Sequence, residues 1–279
     1  MIKSKSFTQN LTSGIQQRLK KIFFNPFAKV NINWLTLKYL KHLPNNQKHY
    51  HYLFKSKTWF YNGQEYLYGI KEIFIDEIYK QSLPPECNIL DCGAHIGLSV
   101  IYLSSICPSA RIVAFEPDEK NFALLQKNMI SHQLKTVVLK NEAVWTEDTE
   151  LRFTSEGNMS SRIVSDNTGT ITVKATRLKN YLNKHIHFLK LDIEGAEYPV
   201  IKDIASDLQN VNKMFIEYHG NFNQNNELLD ILNIVENADF LFYIKEATPV
   251  YKHPFSIDGS RKQFDVQLNI FCFRADKRW

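Results

Sequence analysis

From residue 86 onward two periodicities take turns along the chain. Nearly continuous apolar runs, NILDC (88–92), RIVAF (111–115), TVVLKNEAV (136–144), HFLKLDI (187–193) and KMFIEYH (213–219), alternate with segments whose apolar residues recur every three or four positions. Those segments are LSVIYLSSI, EKNFALLQKNMI and YPVIKDIA. Strands apolar on both sides, separated by helices, belong to a parallel sheet covered on both faces. The pattern therefore predicts a doubly wound α/β domain. At the end of the chain DFLFYIKEA (239–247) and QLNIFCFRA (267–275) have no helical pattern between them, which predicts an antiparallel closing pair.

The first half reads differently. Leu11, Ile15, Leu19, Ile22 and Phe23, then Trp34, Leu35, Leu37 and Leu40, have helical spacing broken at Asn25-Pro26, so two short helices are expected. Asn62-Gly63, between Trp59, Phe60, Tyr61 and Tyr66, Leu67, Tyr68, predicts a hairpin, because both turn residues tolerate positive φ. IKEIFIDEIYKQSL (70–83) puts Ile73, Phe74, Ile78 and Tyr79 on one helical face and stops at Pro84-Pro85. Between Glu150 and Val173 the Ser, Thr, Asn and Gly content and the missing helical period predict a strand-rich excursion. These textures divide the chain into an N-terminal helical extension, residues 1–58, and a larger domain, residues 59–279.

Composition narrows the class. The 279 residues are 44% hydrophobic and 23% charged, enough for a full core, and no run of about 18 apolar residues occurs. Neither a membrane span nor a secretion signal is expected. Cys87, Cys92, Cys107 and Cys272 form no CxxC pair, so zinc and disulfide frameworks are not expected, and reduced thiols suit a cytoplasmic protein. Much of the formal charge of +5 lies in the first sixty residues, which suits a solvated basic face or weak association with an acidic or membrane surface. No Asn-Pro-Pro-Tyr segment of the base-methylating kind is present, and nucleic acid is not an expected partner.

Chemistry is expected where the first strand ends, in DCGAHIG (91–97). In doubly wound sheets ligands bind at the carboxyl ends of the strands. Gly93 permits a tight turn, Gly97 permits close approach of backbone to a ligand, and the next helix offers unpaired N–H groups. Ala94 and His95 stand where a dinucleotide fingerprint has its second glycine, which disfavours pyrophosphate. Asp91 would repel phosphate and suit an ammonium group. Glu116, about twenty residues on, can accept both hydroxyls of a ribose. An adenosine joined to an amino acid is S-adenosylmethionine.

NILDCGAHIGLSVIYL, VAFEPDEKNFALLQKN, NEAVW, HFLKLDIEGAEYPVIKDI and FIEYHG together resemble the FkbM family of S-adenosylmethionine-dependent methyltransferases, over roughly residues 65 to 275. The resemblance implies a Rossmann-like sheet of seven strands with the last one antiparallel. It also implies O-methylation of a carbohydrate, glycoconjugate or related natural product. A non-sugar small molecule or a lipid is the alternative acceptor, and a catalytically silent binding module of the same fold is the alternative class.

On the acceptor side, Asp192 and Glu194 end one strand, and Glu217 and His219 end its neighbour. Strand alternation puts each pair on one face. His219, with an ordinary pKa of about 6.5, is the expected general base. Asp192 can orient the hydroxyl or the histidine, or stabilise the sulfonium. A second route makes Asp192, Glu194 and Glu217 oxygen ligands for Mg²⁺, although no residue is assigned outright to a metal. Glu194 can equally cap the helix that follows. Glu142 and Ala143 are placed at adenine and His95 at the methionine carboxylate, with a surface position as the competing reading for Glu142 and a filled turn position for His95. NMSSR (158–162) is a pocket wall or a surface loop. Trp34, Trp59, Phe60, Tyr61, Tyr66 and Tyr68 are a sugar-stacking platform, or packing of the core or of a homo-oligomer.

Overall fold

The computed structural model describes residues 25–45, 47–154, 162–163, 171–256 and 262–275. The first of the two expected helices and all of NMSSR except Arg162 lie outside them. A 3₁₀ turn, Pro26–Val30, follows Asn25, whose side chain accepts the Phe27 N–H, and α1 (Trp34–Lys41) starts at Asn33, which caps Thr36 in the same way. Next come β1 (His49–Leu53) and β2 (Ser56–Phe60), an antiparallel pair.

The hairpin expected at Asn62-Gly63 is absent, and the turn between β1 and β2 lies at Phe54 and Lys55, with φ of 50° and 69°. Asn62 instead caps α2 (Gly63–Ile70), its side chain accepting the N–H groups of Gln64 at 2.9 Å and Glu65 at 3.2 Å. Gly63 serves packing, since a Cβ there would sit 2.0 Å from the Leu40 carbonyl oxygen. The helix expected over 70–83 thus begins earlier, and it passes into a π-helical turn, Lys71–Ile75, before Asp76. Phe60 and Tyr66 are buried and stacked, with ring centroids 4.2 Å apart, so they belong to the core and not to a sugar platform; Trp34 and Tyr68 are exposed. The expected boundary between residues 58 and 59 falls inside β2.

The remaining elements are β3 (Asn88–Cys92), α3 (Leu98–Ile106), β4 (Arg111–Phe115), α4 (Glu119–Ser131), β5 (Val137–Lys140), β6 (Ala143–Trp145), β7 (Thr149–Thr154), β8 (Arg162–Ile163), β9 (Ile171–Arg177), β10 (Ile186–Leu191), α5 (Glu197–Asp203), β11 (Val211–Gly220), α6 (Asn225–Asn237), β12 (Leu241–Glu246) and β13 (Val266–Phe273). Seven strands form one sheet in the order β12-β13-β11-β10-β3-β4-β5. Its pairs from β11 to β5 are parallel, and β13 runs antiparallel between β11 and β12, as the closing pattern predicts. The run TVVLKNEAV is divided between two sheets, because β6 leaves the large sheet to join β9, β7 and β8 in the order β6-β9-β7-β8. The Ser- and Thr-rich excursion supplies most of that second sheet.

Burial on both faces explains the continuous apolar runs. Ile89 packs in the cluster on one side of the sheet with Ile112, Leu103 and Leu125, while Leu90 packs on the other with Leu189, Val200 and Ile216. α3 is buried throughout its first two turns, Leu98 to Leu103, because it lies between the sheet and the N-terminal segment. Parallel alignment of β4, β3, β10 and β11 then brings their carboxyl ends to one rim. Asp91, Glu116, Asp192, Glu217 and His219 all lie at or near that rim.

Candidate active site

One pocket opens on this rim. It is lined by Gly93–Ile96, Leu98 and Ser99, by Phe115, Glu116 and Pro117 at the end of β4, and by Glu142, Ala143 and Val144 at β6. Lys190 of β10 and Asp192, Ile193 and Glu194 after it line a further side with Glu217 of β11, and Glu65, Gly69, Glu72 and Ile73 close it from the N-terminal segment. The structure therefore brings Gly93, His95, Glu116, Glu142, Ala143, Asp192, Glu194 and Glu217 to one cavity. Asp91, Gly97 and His219 stand behind its wall.

Asp91 is not part of the cavity lining. Its side chain is fully buried, Ser99 Oγ donates to its Oδ2 at 2.5 Å, and Lys190 Nζ lies 3.4 Å from its Oδ1. The cation beside Asp91 is thus a lysine of the chain itself. Lys190 also donates to the Gly93 carbonyl at 2.7 Å and to Asp192 Oδ2 at 3.0 Å. Burial opposes its charge, and Asp192, Asp91 and the other partners still hold its pKa well above the ordinary value. A charged lysine amid Leu189 and Leu191 needs such partners, because an unpaired buried charge costs several kcal/mol, about 3–5 when one partner is removed.

Gly97 also has a packing role. Its φ is 90°, and a Cβ there would lie 2.6 Å from Leu125 Cδ1 and 2.6 Å from Met129 Cε, so the glycine admits α4 against α3. Gly93, with φ of 85°, keeps its role in the turn; a Cβ on it would meet the Asp192 carbonyl oxygen at 1.8 Å. The two strand tips are locked together there.

Glu116 receives the N–H of His95 on Oε2 at 2.8 Å and that of Asp118 on Oε1 at 3.0 Å. Burial raises its pKa to about 8 against these two donors. A carboxylate has roughly four acceptor positions, so half of its capacity is left. His95, with φ of 50°, is a neutral imidazole: burial lowers its pKa to about 4. It can offer a methionine carboxylate one hydrogen bond but no charge.

His219 is buried beside three carboxylates. Its Nδ1 lies 3.2 Å from Glu197 Oε1, and its Nε2 lies 3.8 Å from both Glu194 Oε2 and Glu217 Oε1. Burial lowers its pKa, but the charge and hydrogen bond of Glu197, with the charges of Glu194 and Asp192, outweigh that and raise it to about 10. These charges favour the protonated ring, a direction that weighs against the general-base expectation. Burial and Asp192 drive Glu217 well above the ordinary carboxylate range; burial, set against the charge of His219, leaves Glu194 raised to about 8. One ligand atom from each of Asp192, Glu194 and His219 lies within 4.8 Å of the others.

Lys190, Glu197 and Glu72, charged residues at the site, carry no expectation from sequence. Glu197 takes the bonds that Glu194 could have made as a helix cap, accepting the N–H groups of Ile193 at 3.0 Å and Gly195 at 3.1 Å. Glu72 faces the pocket from the π-helical turn, and burial followed by repulsion from Asp192 raises its pKa to about 7.

A doubly wound sheet with its closing strand reversed, and a glycine turn and acidic pocket at its carboxyl rim, is a Rossmann-like fold of the methyltransferase type. The family model for the methyltransferase FkbM domain matches residues 91–242, more than half of the chain, and the chain belongs to that family. It is 28% identical over 165 residues to Methyltransferase 1 of Beauveria bassiana, with 49% of this chain and 66% of that protein covered. It therefore spans just under two thirds of that relative's length. Methyltransferase sdnD of Sordaria araneosa is 27% identical over 176 residues, covering 49% and 68%. A crystal structure of methyltransferase FkbM from Methylobacillus flagellatus aligns with a TM-score of 0.46 and 18% identity, over 73% of this chain and 53% of that one.

Proposed function

We propose that the protein is an S-adenosylmethionine-dependent O-methyltransferase that methylates a hydroxyl of a carbohydrate, glycoconjugate or related natural product. The observation that carries this reading is the sharing of one cavity by the glycine turn, Glu116 and Ala143 on one side and Asp192, Glu194 and Glu217 on the other. The cofactor supplies a methyl group made electrophilic by its sulfonium charge.

The residues present suit that cofactor. Glu116 uses its free acceptor positions for the two ribose hydroxyls. Ala143, Phe115 and Val144 give the adenine ring apolar surface, with Glu142 at its edge. Glu72 and Asp192, which face the cavity, meet the ammonium end in place of Asp91. On the acceptor side, hydroxyl oxygen and methyl carbon must be held about 3–3.5 Å apart. Asp192 and Glu194 orient the hydroxyl. Its proton goes to Glu217, which lines the cavity on the acceptor side.

The test is incubation of the full chain with methyl-labelled S-adenosylmethionine and a panel of glycans, polyhydroxylated natural products and lipids. Label in an ether oxygen of a sugar supports the proposal. Label only in a nitrogen or carbon product, or none with any acceptor while the cofactor binds, refutes it.

A further inference from the structure

Glu197 and His219 form a buried pair that the methyl-transfer reading leaves unused. Glu197 is fully buried, and its carboxylate accepts from Ile193 N, Gly195 N and His219 Nδ1. A carboxylate has no hydrogen to give, so the ring hydrogen sits on Nδ1, and Nε2 is the atom left for a proton or a metal ion. The His219 side chain is 3% exposed, and among the described residues Nε2 makes no hydrogen bond. It points between Glu194 Oε2 and Glu217 Oε1, 3.8 Å from each. Those distances are too long for hydrogen bonds. The His219–Glu194 separation comes within a few tenths of an ångström of the roughly 3.0–3.5 Å between two ligands held about 2.0–2.2 Å from one ion, and a ligand atom of Asp192 lies within 4.8 Å of both.

We propose that Asp192, Glu194 and His219 bind one divalent transition-metal ion, of the Mn²⁺ or Zn²⁺ class. Glu197 orients the histidine, an arrangement that metal-binding imidazoles almost always have. The mixed oxygen and nitrogen set disfavours Mg²⁺, which prefers oxygen alone. Asp192 enters with Oδ2 already held by Lys190, and Glu194 is presented by a bend in which its own φ is 55°. The chemical role rests on the methyl-transfer reading: the ion lowers the pKa of the acceptor hydroxyl, whose proton passes to Glu217. The oxygen–methyl bond forms as the sulfur–methyl bond breaks, leaving a methyl ether and S-adenosylhomocysteine.

Metal binding is measured without cofactor or acceptor. The full chain, stripped with chelator, is titrated with Mn²⁺ and the free ion is followed by its paramagnetic resonance signal, with Zn²⁺ as competitor. One saturable ion per chain is expected, weakened at least about tenfold by Glu194→Gln and about ten- to a hundredfold by Glu197→Gln. Calorimetry of S-adenosylmethionine on each variant checks that it folds; the partly exposed Glu194 decides the matter if a change at Glu197 or His219 prevents folding. Absence of saturable Mn²⁺ and Zn²⁺ binding by the folded parent overturns the proposal, as does binding that Glu194→Gln and His219→Gln leave unchanged. Saturable binding lost in Glu194→Gln sustains it even if no methyl acceptor is ever found.

Discussion

Replacing Gly97 by alanine separates a packing role from a ligand-binding one. The new methyl would lie 2.6 Å from Leu125 Cδ1 and from Met129 Cε, at a φ of 90°. Holding an L-residue in a left-handed conformation costs about 1–2 kcal/mol, and forcing a carbon into a filled core costs about 1–3 kcal/mol. Both neighbouring atoms end flexible side chains, so the lower half of the sum, about 3 kcal/mol, is expected. At about 2–4 °C per kcal/mol for a chain of this size, the Tm falls by about 6–12 °C. Urea unfolding gives the same difference with an unchanged slope. Met129→Ala adds a second arm: the double variant should lose about 1 kcal/mol less than the two singles together, because the shortened side chain no longer meets the methyl. Affinity for S-adenosylmethionine, measured well below the Tm, should stay within a few-fold of the parent. A Gly97→Ala protein as stable as the parent but unable to bind the cofactor would refute the packing assignment.

Three further outcomes follow from the same geometry. Asn62→Ala removes the cap of α2 and should cost about 1 kcal/mol in urea unfolding, whereas a hairpin turn residue at that place would tolerate it differently from the capping variant Asn62→Asp, which should be near neutral. Glu116 has a folded pKa of about 8, above its unfolded value, so its contribution to stability is complete at acid pH and is lost as pH rises through about 8; the decline in Tm between pH 6 and pH 9 should be shallower in Glu116→Gln, and parallel curves would count against the burial that raises it. Glu217→Gln should lower methyl transfer by about a hundred- to ten-thousandfold while cofactor binding persists, the range expected for loss of a positioned proton acceptor.

The sheet was legible because burial on both faces forces near-continuous apolar runs, and Ile89 and Leu90 do face opposite cores. The reversed closing pair was legible for a local reason, the lack of any helical pattern between β12 and β13. Turn chemistry misled where one residue type serves two purposes. Asn62 is as good a cap as a turn residue, and the actual hairpin turn at Phe54 and Lys55 carries no glycine or asparagine. The packing role of Gly97 is not legible in the sequence, because glycine spacing records close approach without saying whether a ligand or Leu125 approaches.

Missed site residues divide along similar lines. Lys190 left a readable signal, the one charged side chain inside β10, a strand that has no aqueous face. Such a charge must be paired, and Asp91 and Asp192 flank it on its own and the neighbouring strand. Glu72 was hidden by the π-helical turn, which shifts the phase of a helix read at 3.6 residues per turn. Glu197 was hidden because its partners, the Ile193–Gly195 bend and His219, meet it only through the packing of β10, α5 and β11. His219 was placed at the right strand end, but its protonation depends on Glu197 and could not be read without it.

Titration calorimetry of the full chain with S-adenosylmethionine, set beside Glu116→Gln, tests most directly whether this rim is a methyl-donor site. One molecule bound per chain, at least about tenfold more weakly in the variant, is the result predicted for a carboxylate that holds both ribose hydroxyls. Heat of binding that is absent from the folded parent, or identical in the two proteins, would contradict it.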